Sequence, residues 1–255
     1  AEGYTFMGWS TKPMQSVSPQ YEAEEKITVN GNVDLYAVVF NRTTETDLTE
    51  DQLPQVDIYK YKQVIFVGDS RTEFMENVLT GMGESATKNV KFVCSAGKGL
   101  DWFTTTGWAQ LYSIVQHDSN SILSKKTAVI FNFGVNDLSK SADYAEYYNW
   151  IAPQLKSKGC ELYFMSVNPV NRLMLPNAGR ADRSEAAVRS FNQYMKANLS
   201  SAYTYIDMYS YLKSTGYSFA SDHYGTGTVD DGLHYTTRTY KRIFAKCMDS
   251  LRVPA

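Results

Sequence analysis

The sequence lacks the features that mark a metal-binding, membrane-spanning or nucleic-acid-binding protein. Among 255 residues there are three histidines and three cysteines, and Cys94, Cys160 and Cys247 have neither the spacing of a zinc site nor that of a disulfide framework. No apolar run approaches the roughly 18 residues of a membrane-spanning helix. With 25 basic and 27 acidic residues the net charge is −2, which gives no electrostatic reason to expect nucleic acid or an anionic membrane as a partner.

The rest of the composition is typical of a folded globular protein. Hydrophobic residues make up 43% and charged residues 20% of the chain, which excludes a disordered tail, a collagen-like fibre and a coiled coil. The length predicts one principal domain with a small addition. Tyrosine is abundant, with 19 residues. A tyrosine-rich surface would suit contact with sugars, whereas tyrosines that only fill the core and pad the surface would carry no such meaning.

The first forty residues predict a small β module. Aromatic patches at residues 3–9 and 33–40 alternate like short strands on either side of a polar middle. The residues that carry the pattern are Gly3, Tyr4, Phe6, Gly8 and Trp9, followed by Leu35, Tyr36 and Ala37. This pattern resembles the later part of the Listeria-Bacteroides repeats of bacterial surface proteins, which implies an extracellular or cell-surface bacterial protein that associates with the cell wall through the module. The alternative is a β-hairpin packed on the main domain.

Residues 41–58 predict a linker. This segment is rich in threonine and acidic residues and contains Pro54, and such a composition buries little apolar surface. We therefore assign residues 1–40 to the β module, residues 41–58 to the linker and residues 59–255 to the principal domain.

From residue 59 onward, apolar stretches of strand length alternate with helical patterns. The predicted strands are Gln63–Val67, Val90–Cys94, Thr127–Phe133, Glu161–Val167 and Tyr203–Met208. Alternation of this kind, with nearly continuous apolar strands, predicts a parallel sheet that is covered by helices on both faces. Five strands favour an α/β fold of the flavodoxin-like kind, a three-layer α/β/α sandwich.

Polar residues follow the predicted strands at the edge where such sheets bind ligands. Ser70 follows the first strand, and a helix predicted over Thr72–Thr80 would direct its first amides and its positive dipole end at the same place. A serine hydroxyl needs a neighbouring base and an oriented partner for that base. His234 and Asp231, three residues apart, can supply both. The side chain of Asn136 and the amide of Gly97 or Gly99 could donate to an oxyanion, and Gly97 is favoured because it comes first after its strand.

Together these residues resemble the sequence blocks of the SGNH hydrolases, also called GDSL-like esterases. The blocks are Gly68-Asp69-Ser70, Gly97, Gly134-Val135-Asn136-Asp137 and Asp231-Gly232-Leu233-His234. The resemblance spans about residues 61–250 and implies ester hydrolysis without a metal or cofactor. It also implies that Ser70 is the nucleophile, that His234 is the base oriented by Asp231, and that the N–H groups of Ser70 and Gly97 form the oxyanion hole with Asn136. Arg71 departs from the pattern, because many members have leucine there and a cation would lie beside the nucleophile.

Each of these residues also has a plainer interpretation. Ser70 and Asn136 could be helix N-caps, since serine and asparagine are preferred there, and Asp231 with His234 could form an ordinary turn. His223 is the rival base, although it lacks an orienting carboxylate at the matching spacing. The convergence of all blocks in the order of the strands favours the esterase.

The substrate is expected to be a short acyl ester, with acetyl the foremost candidate, carried on carbohydrate. The candidate substrate-binding residues are Arg71, Trp102, Asn168 and Arg172. Basic residues at or near this edge also raise the hypothesis of an anionic glycan, with scattered solvated charges as the alternative; they are Arg71, Lys98, Arg172, Arg180 and Arg183. Two other functions remain open: a carbohydrate O-acetyltransferase that uses the same triad, and a non-catalytic surface module that binds glycans.

Overall fold

The computed structural model describes residues 3–15, 17–57, 60–118, 126–172, 174–175, 183–220 and 231–251. Within these ranges the strands form two sheets. The antiparallel sheet consists of β1 (Tyr4–Ser10) and β2 (Tyr36–Asn41). The parallel sheet consists of β3 (Tyr61–Gly68), β4 (Val90–Cys94), β5 (Lys126–Asn132), β6 (Cys160–Met165) and β7 (Tyr203–Ile206).

Helices connect the strands of the parallel sheet, and two more follow its last strand. They are α1 (Ser70–Met82), α2 (Leu100–Trp102), α3 (Trp108–Asp118), α4 (Ser141–Lys156), α5 (Glu185–Asn198), α6 (Met208–Thr215) and α7 (Thr237–Ser250). A π-helical turn over Phe103–Gly107 joins α2 to α3. In the described part of the chain, none of the helices has both the length and the hydropathy needed to cross a membrane.

The strand order of the parallel sheet confirms the predicted fold class. The order is β4-β3-β5-β6-β7, which is the 2-1-3-4-5 order of flavodoxin-like sandwiches. All five predicted strands are present, with ends that differ by at most two residues from those observed. The register places Gly68 of β3 beside Cys94 of β4 and Asn132 of β5. The loops that follow three neighbouring strands therefore begin at the same level of the sheet edge.

Alternate side chains of the central strands enter two cores on opposite faces of the sheet, as the period of two along a strand requires. On β3, Ile65 and Val67 enter the core that is covered by α2 to α5. Val64 and Phe66 enter the second core, which is covered by α1, α6 and α7. Because both faces are buried, nearly every residue of these strands is apolar.

Many of the tyrosines pack inside the protein. The fully buried ones include Tyr61, Tyr144, Tyr148 and Tyr217. The ring of Tyr148 lies 4.8 Å from that of Phe131, and the hydroxyl of Tyr203 donates to the Tyr148 carbonyl at 2.7 Å. Core packing therefore accounts for a large part of the tyrosine content.

The N-terminal sheet is in contact with the principal domain. Met7, Val38 and Phe40 contribute to the second core. Lys213 of α6 donates to the carbonyl oxygen of Met7 and lies 2.8 Å from a carboxylate oxygen of Glu22. The resemblance of this segment to a surface repeat stays a prediction.

Residues 42–57 bury more than their composition predicts. They contain two short 3-10 turns, at Arg42–Thr44 and Glu50–Gln52. Leu53 and Val56 are buried in the second core, and the buried carboxylate of Glu45 accepts a hydrogen bond from Arg242 of α7 at 3.0 Å. The division of the chain into module, linker and principal domain stays a prediction.

Candidate active site

Ser70 lies at the start of α1, at the carboxyl edge of the sheet. The N-cap of α1 is Asp69, whose Oδ1 accepts the N–H of Arg71 at 3.0 Å. Burial raises the pKa of the Asp69 carboxyl to about 6. Ser70 is thus the first helical residue and not the cap, so the interpretation of Ser70 as an N-cap is wrong, and its hydroxyl is available for other contacts.

Gly68 allows α1 to begin close against the end of β3. A Cβ atom at this position would overlap Thr72 Oγ1 and come within 2.9 Å of the Asn132 carbonyl oxygen. Any side chain would therefore displace the first turn of the helix. This contact explains the glycine of the Gly68-Asp69-Ser70 block.

The structure brings Ser70, His234 and Asp231 together. His234 Nε2 lies 2.8 Å from Ser70 Oγ, and His234 Nδ1 lies 2.5 Å from Asp231 Oδ2. All three residues are buried, with 5%, 1% and 6% of their surfaces exposed. When Nδ1–H donates to the carboxylate, Nε2 is left to accept the proton of the serine hydroxyl. The arrangement can activate a serine nucleophile.

The turn from Asp231 to His234 fixes the carboxylate. Asp231 Oδ1 accepts the N–H groups of Leu233 and His234, each at 2.8 Å. Burial alone would raise the pKa of Asp231, but the hydrogen bonds and charge of His234 outweigh it and lower the pKa to about 2. Gly232 has a φ of +69°, a conformation that favours glycine. The carboxylate is therefore ionised and oriented at neutral pH.

Two contacts that the sequence analysis missed hold His234 in place. The ring of Phe74 meets the imidazole edge-on, with centroids 4.7 Å apart. The carbonyl oxygen of His234 accepts the N–H of Ala220 at 2.8 Å. Phe74 could have been identified from the sequence, because it lies four residues after Ser70 on α1 and the two positions share a helix face.

Gly97 and Gly99 lie in different surroundings, and the choice of Gly97 as the second amide donor stays a prediction. Gly97 has a φ of +70°, and a Cβ placed on it would meet no atom within 4 Å. A Cβ on Gly99 would collide with the carboxylate of Asp137. That carboxylate accepts the N–H of Leu100 at 2.9 Å and the hydroxyl of Tyr144 at 2.8 Å. Gly99 therefore makes room for Asp137, whereas the space beside Gly97 is open to a ligand.

The side chain of Asn136 is held at both ends of its amide. Its Nδ2 donates to the carbonyl oxygen of Lys98 at 2.8 Å, and its Oδ1 accepts from Nη2 of Arg183 at 2.9 Å. Arg183 Nε also donates to the Val135 carbonyl oxygen at 2.6 Å. The amide orientation is thereby fixed, and the second hydrogen of Nδ2 can serve another acceptor. Arg183, which from its place in the sequence was expected to be a loop charge, therefore positions Asn136, a contact that no local sequence signal indicates.

The structure corrects the role predicted for Arg71. Only 3% of its surface is exposed, and its guanidinium donates to the carbonyl oxygens of Leu233 at 3.0 Å, Asn168 at 2.8 Å and Pro169 at 2.9 Å. The guanidinium therefore donates its hydrogen bonds to the backbone and is not presented to a substrate. Arg71 instead ties the loop after β6 to the turn that carries His234. Asn168 is 1% exposed, and its contact with substrate stays a prediction.

The other candidate substrate residues, Trp102 and Arg172, contact residues outside the triad. The ring of Trp102 packs near Phe133, with centroids 6.0 Å apart, and covers Gly107. Arg172 Nε lies 3.7 Å from Oε1 of Glu24 in the N-terminal segment. A contact of Trp102 with substrate stays a prediction. His223 and Arg180 lie outside the described residues.

A cleft of about 530 Å³ opens beside Asn136. Its polar walls are formed by Asn136, Asp137, Ser139, Arg183 and Ser190. The cleft therefore offers both hydrogen-bond donors and acceptors next to the fixed amide. Among the described residues, no group of three or more histidine, cysteine or acidic side chains is arranged to hold a metal ion.

The sequence matches the model of the GDSL-like lipase/acylhydrolase family over residues 64–247. No curated protein matches it. A similar solved structure is a candidate SGNH hydrolase from Slackia heliotrinireducens, with a TM-score of 0.51, 13% identity and coverage of 76% of this chain and 100% of that chain. Others are a candidate acylhydrolase from Bacteroides fragilis, with a TM-score of 0.48, 17% identity and coverage of 79% and 92%, and the acetyl xylan esterase AlAXEase, with a TM-score of 0.49, 12% identity and coverage of 74% and 100%.

The family match and the geometry agree on the same region of the chain. The matched residues span most of the sequence and include the turn at Ser70, the loops at Gly97 and Asn136, and the segment with Asp231 and His234. The chain therefore belongs to the GDSL-like lipase/acylhydrolase family and is a serine ester hydrolase of the SGNH type.

Proposed function

We propose that this protein hydrolyses short acyl esters, acetyl esters above all, on carbohydrate, through an acyl-enzyme. The observation that carries the proposal is the hydrogen-bonded chain from Ser70 through His234 to Asp231, with distances of 2.8 and 2.5 Å. A base placed in this way takes the hydroxyl proton as the oxygen attacks a carbonyl carbon.

In the first half of the proposed reaction, Ser70 Oγ bonds to the ester carbonyl carbon while His234 Nε2 takes its proton. The tetrahedral intermediate then collapses, the bond to the sugar oxygen breaks, and His234 returns the proton to that oxygen. In the second half, a water molecule loses a proton to His234 and attacks the acyl carbon. The bond from that carbon to Ser70 Oγ then breaks, His234 returns the proton to Ser70 Oγ, and the carboxylic acid leaves. Asp231 remains ionised and stabilises the imidazolium.

Three donors would stabilise the negative charge on the intermediate. They are the N–H groups of Ser70 and Gly97 and the side-chain amide of Asn136. The fixed orientation of the amide supports this role, because donors that are already in place cost no reorganisation when charge develops. The open space beside Gly97 supports it as well.

The polar cleft beside Asn136 supports a hydroxyl-bearing alcohol as the leaving group. Asp137, Ser139 and Arg183 can exchange hydrogen bonds with sugar hydroxyls. A long acyl chain would desolvate the same groups without replacing their hydrogen bonds. Carbohydrate esters with short acyl groups therefore fit this surface better than lipids do.

The direct test compares hydrolysis of p-nitrophenyl esters from acetate to octanoate, and of O-acetylated oligosaccharides, by the wild type and Ser70→Ala. We expect the fastest turnover with acetate and a loss on the order of 10⁴-fold or more in the variant. Ser214→Ala, which removes an exposed serine hydroxyl of α6, is the matched control and should retain activity. Unchanged activity in Ser70→Ala would refute the nucleophile. Product analysis with a sugar acceptor separates hydrolysis from O-acetyl transfer, and glycan binding without turnover would indicate a non-catalytic module.

The proposal extends to location: the protein works at a bacterial surface, close to cell-wall glycans. Its support is the resemblance of the N-terminal residues to surface repeats. Fractionation of the source cells would test it, and recovery of the protein only from the cytoplasm would contradict it.

A further inference from the structure

A second pocket, of about 210 Å³, lies between the N-terminal sheet and the principal domain. Its walls include Phe6, Trp9, Glu24, Asn171, Arg172 and Glu185, and we call it the N-terminal pocket. None of these side chains takes part in the reaction proposed for Ser70. The proposed reaction at Ser70 therefore assigns no role to this pocket.

One wall of the N-terminal pocket is a rigid aromatic surface. The backbone N–H of Trp9 donates to the carbonyl oxygen of Tyr21 at 2.8 Å, and the backbone N–H of Tyr21 donates to the carbonyl oxygen of Trp9 at 2.9 Å. The Trp9 ring meets that of Phe6 edge-to-face, with centroids 5.2 Å apart, and Trp9 is 37% exposed. A flat apolar face is thus held ready for a ligand, so little ordering cost accompanies binding.

Polar groups complete the pocket. Arg172 Nε lies 3.7 Å from Glu24 Oε1, and both side chains are partly exposed. Glu185 is 3% exposed, and its Oε2 accepts the hydroxyl of Tyr209 at 2.6 Å. A carboxyl group that lines a pocket while almost fully buried can accept a hydrogen bond from a bound ligand. Donors and acceptors therefore surround an aromatic face.

The N-terminal wall of the pocket is fastened to the principal domain. Lys213 lies 2.8 Å from a carboxylate oxygen of Glu22, and Arg189 Nη1 donates to the carbonyl oxygen of Ala23 at 3.2 Å. These contacts hold Glu22 and Ala23, the two residues that directly precede Glu24. The pocket is thus part of the folded body of the protein.

The N-terminal pocket adjoins the catalytic turn. Asn171, which lines the pocket, donates its N–H to the carbonyl oxygen of Gly232 at 2.8 Å, and Gly232 directly follows Asp231. The same loop is tied to Leu233 through Arg71. The loop that lines the pocket is therefore joined directly to the turn that carries Asp231 and His234.

We propose that the N-terminal pocket is a carbohydrate subsite, which binds one sugar ring of an oligosaccharide whose acylated unit lies at Ser70. The inference rests on the proposed function. A sugar ring presents a C–H face to an aromatic side chain and hydroxyls to a carboxylate and a guanidinium. The volume lies below the about 300–1,000 Å³ of pockets for drug-sized ligands, which suits a single ring. A fatty chain would leave Glu24 and Arg172 desolvated without new partners.

The test compares Trp9→Ala with Trp150→Ala, which removes an exposed tryptophan of α4 and serves as the matched control. The substrates are O-acetylated xylotetraose, O-acetylated chitotetraose and p-nitrophenyl acetate. We expect Trp9→Ala to lower kcat/KM about tenfold for at least one oligosaccharide, mainly through KM, and to leave p-nitrophenyl acetate hydrolysis within twofold. Glu24→Gln, which keeps the aromatic wall, should give a smaller loss in the same direction. Trp150→Ala should change none of these values.

Calorimetric binding to the Ser70→Ala protein separates the subsite from the chemistry. The unacetylated tetrasaccharides should bind to Ser70→Ala more tightly than to Ser70→Ala with Trp9→Ala. Equal kcat/KM in wild type and Trp9→Ala for both oligosaccharides, with normal p-nitrophenyl acetate hydrolysis, would overturn the subsite and leave the esterase intact. A loss confined to p-nitrophenyl octanoate would assign the pocket to an acyl chain and would also overturn it. Absence of any ester hydrolysis in the wild type would instead refute the proposed function.

Discussion

Replacing Arg183 with methionine should slow ester hydrolysis, because Arg183 holds the oxyanion donor Asn136. The guanidinium donates to Asn136 Oδ1 at 2.9 Å and to the Val135 carbonyl oxygen at 2.6 Å. A hydrogen bond to a charged group contributes about 1.5–3 kcal/mol. The bond from Asn136 Nδ2 to Lys98 would remain, so we expect the lower end of that range, which is a loss of about tenfold in kcat.

A double-mutant cycle on p-nitrophenyl acetate measures whether Arg183 acts through Asn136. Asn136→Ala removes an oxyanion donor and should lower kcat by about 10²–10³-fold. Adding Arg183→Met to Asn136→Ala should cause no further loss, because the group that Arg183 positions is already absent. Arg183→Lys keeps the charge but not both hydrogen bonds, so its kcat should lie between those of Arg183→Met and the wild type.

Multiplicative losses in the double variant would refute this reasoning. They would mean that Arg183 contacts the substrate or supports the fold independently of Asn136. Thermal unfolding of each variant detects the second case. A loss expressed in KM and not in kcat would indicate the first.

Further predictions concern the triad, the turn before it and the segment predicted to be a linker. Asp231→Asn should lower kcat by on the order of 10⁴-fold at neutral pH. Because the pKa of Asp231 is lowered from 3.8 to about 2 in the folded protein, its ionised form contributes roughly 2 kcal/mol of stability, which is present above pH 3.8 and is lost as the pH falls to 2. The unfolding free energy of the variant should therefore change less than that of the wild type between pH 3.8 and pH 2. Gly68→Ala should destabilise the fold by about 1–3 kcal/mol in denaturant titration, because its methyl group would overlap Thr72 Oγ1; a neutral effect would contradict the contact. Glu45→Gln should lower the unfolding free energy by about 3 kcal/mol by leaving Arg242 without its buried carboxylate, and a shift below 1 kcal/mol would show that the pair is not buried in solution.

The sheet and its strand ends could be predicted because their signals are local. Val64 to Val67 form a continuous apolar run, which is what a strand buried on both faces requires, and the side chains indeed enter both cores. The short polar blocks after such runs mark the ligand-binding edge. The positions of the polar blocks relative to the predicted strands were therefore enough to predict that Ser70 and His234 lie at the same site.

Contacts between distant residues could not be predicted from the same signals. Arg71 follows Ser70, and its charge was expected at the substrate, but its partners are backbone carbonyls of residues 97 to 162 positions away. Every residue has a backbone carbonyl oxygen, so the sequence does not indicate which of them accept a side-chain hydrogen bond. The same holds for Asn136 and Arg183, which are 47 positions apart.

The composition of residues 42–57 does not show which of these residues are buried, for a related reason. Acidic residues predict a solvated segment only when no cation is provided elsewhere in the fold. Glu45 has Arg242 as its partner, 197 positions later, and the two apolar residues Leu53 and Val56 are enough to seat the segment on the core.

The central claim is that the hydroxyl of Ser70 is the nucleophile. Incubation with a serine-directed fluorophosphonate, followed by peptide mass spectrometry, measures this directly. The account predicts one stoichiometric adduct on Ser70, formed slowly or not at all after His234→Ala. A stoichiometric adduct on any other serine, or equal labelling of the Ser70→Ala protein, would contradict it.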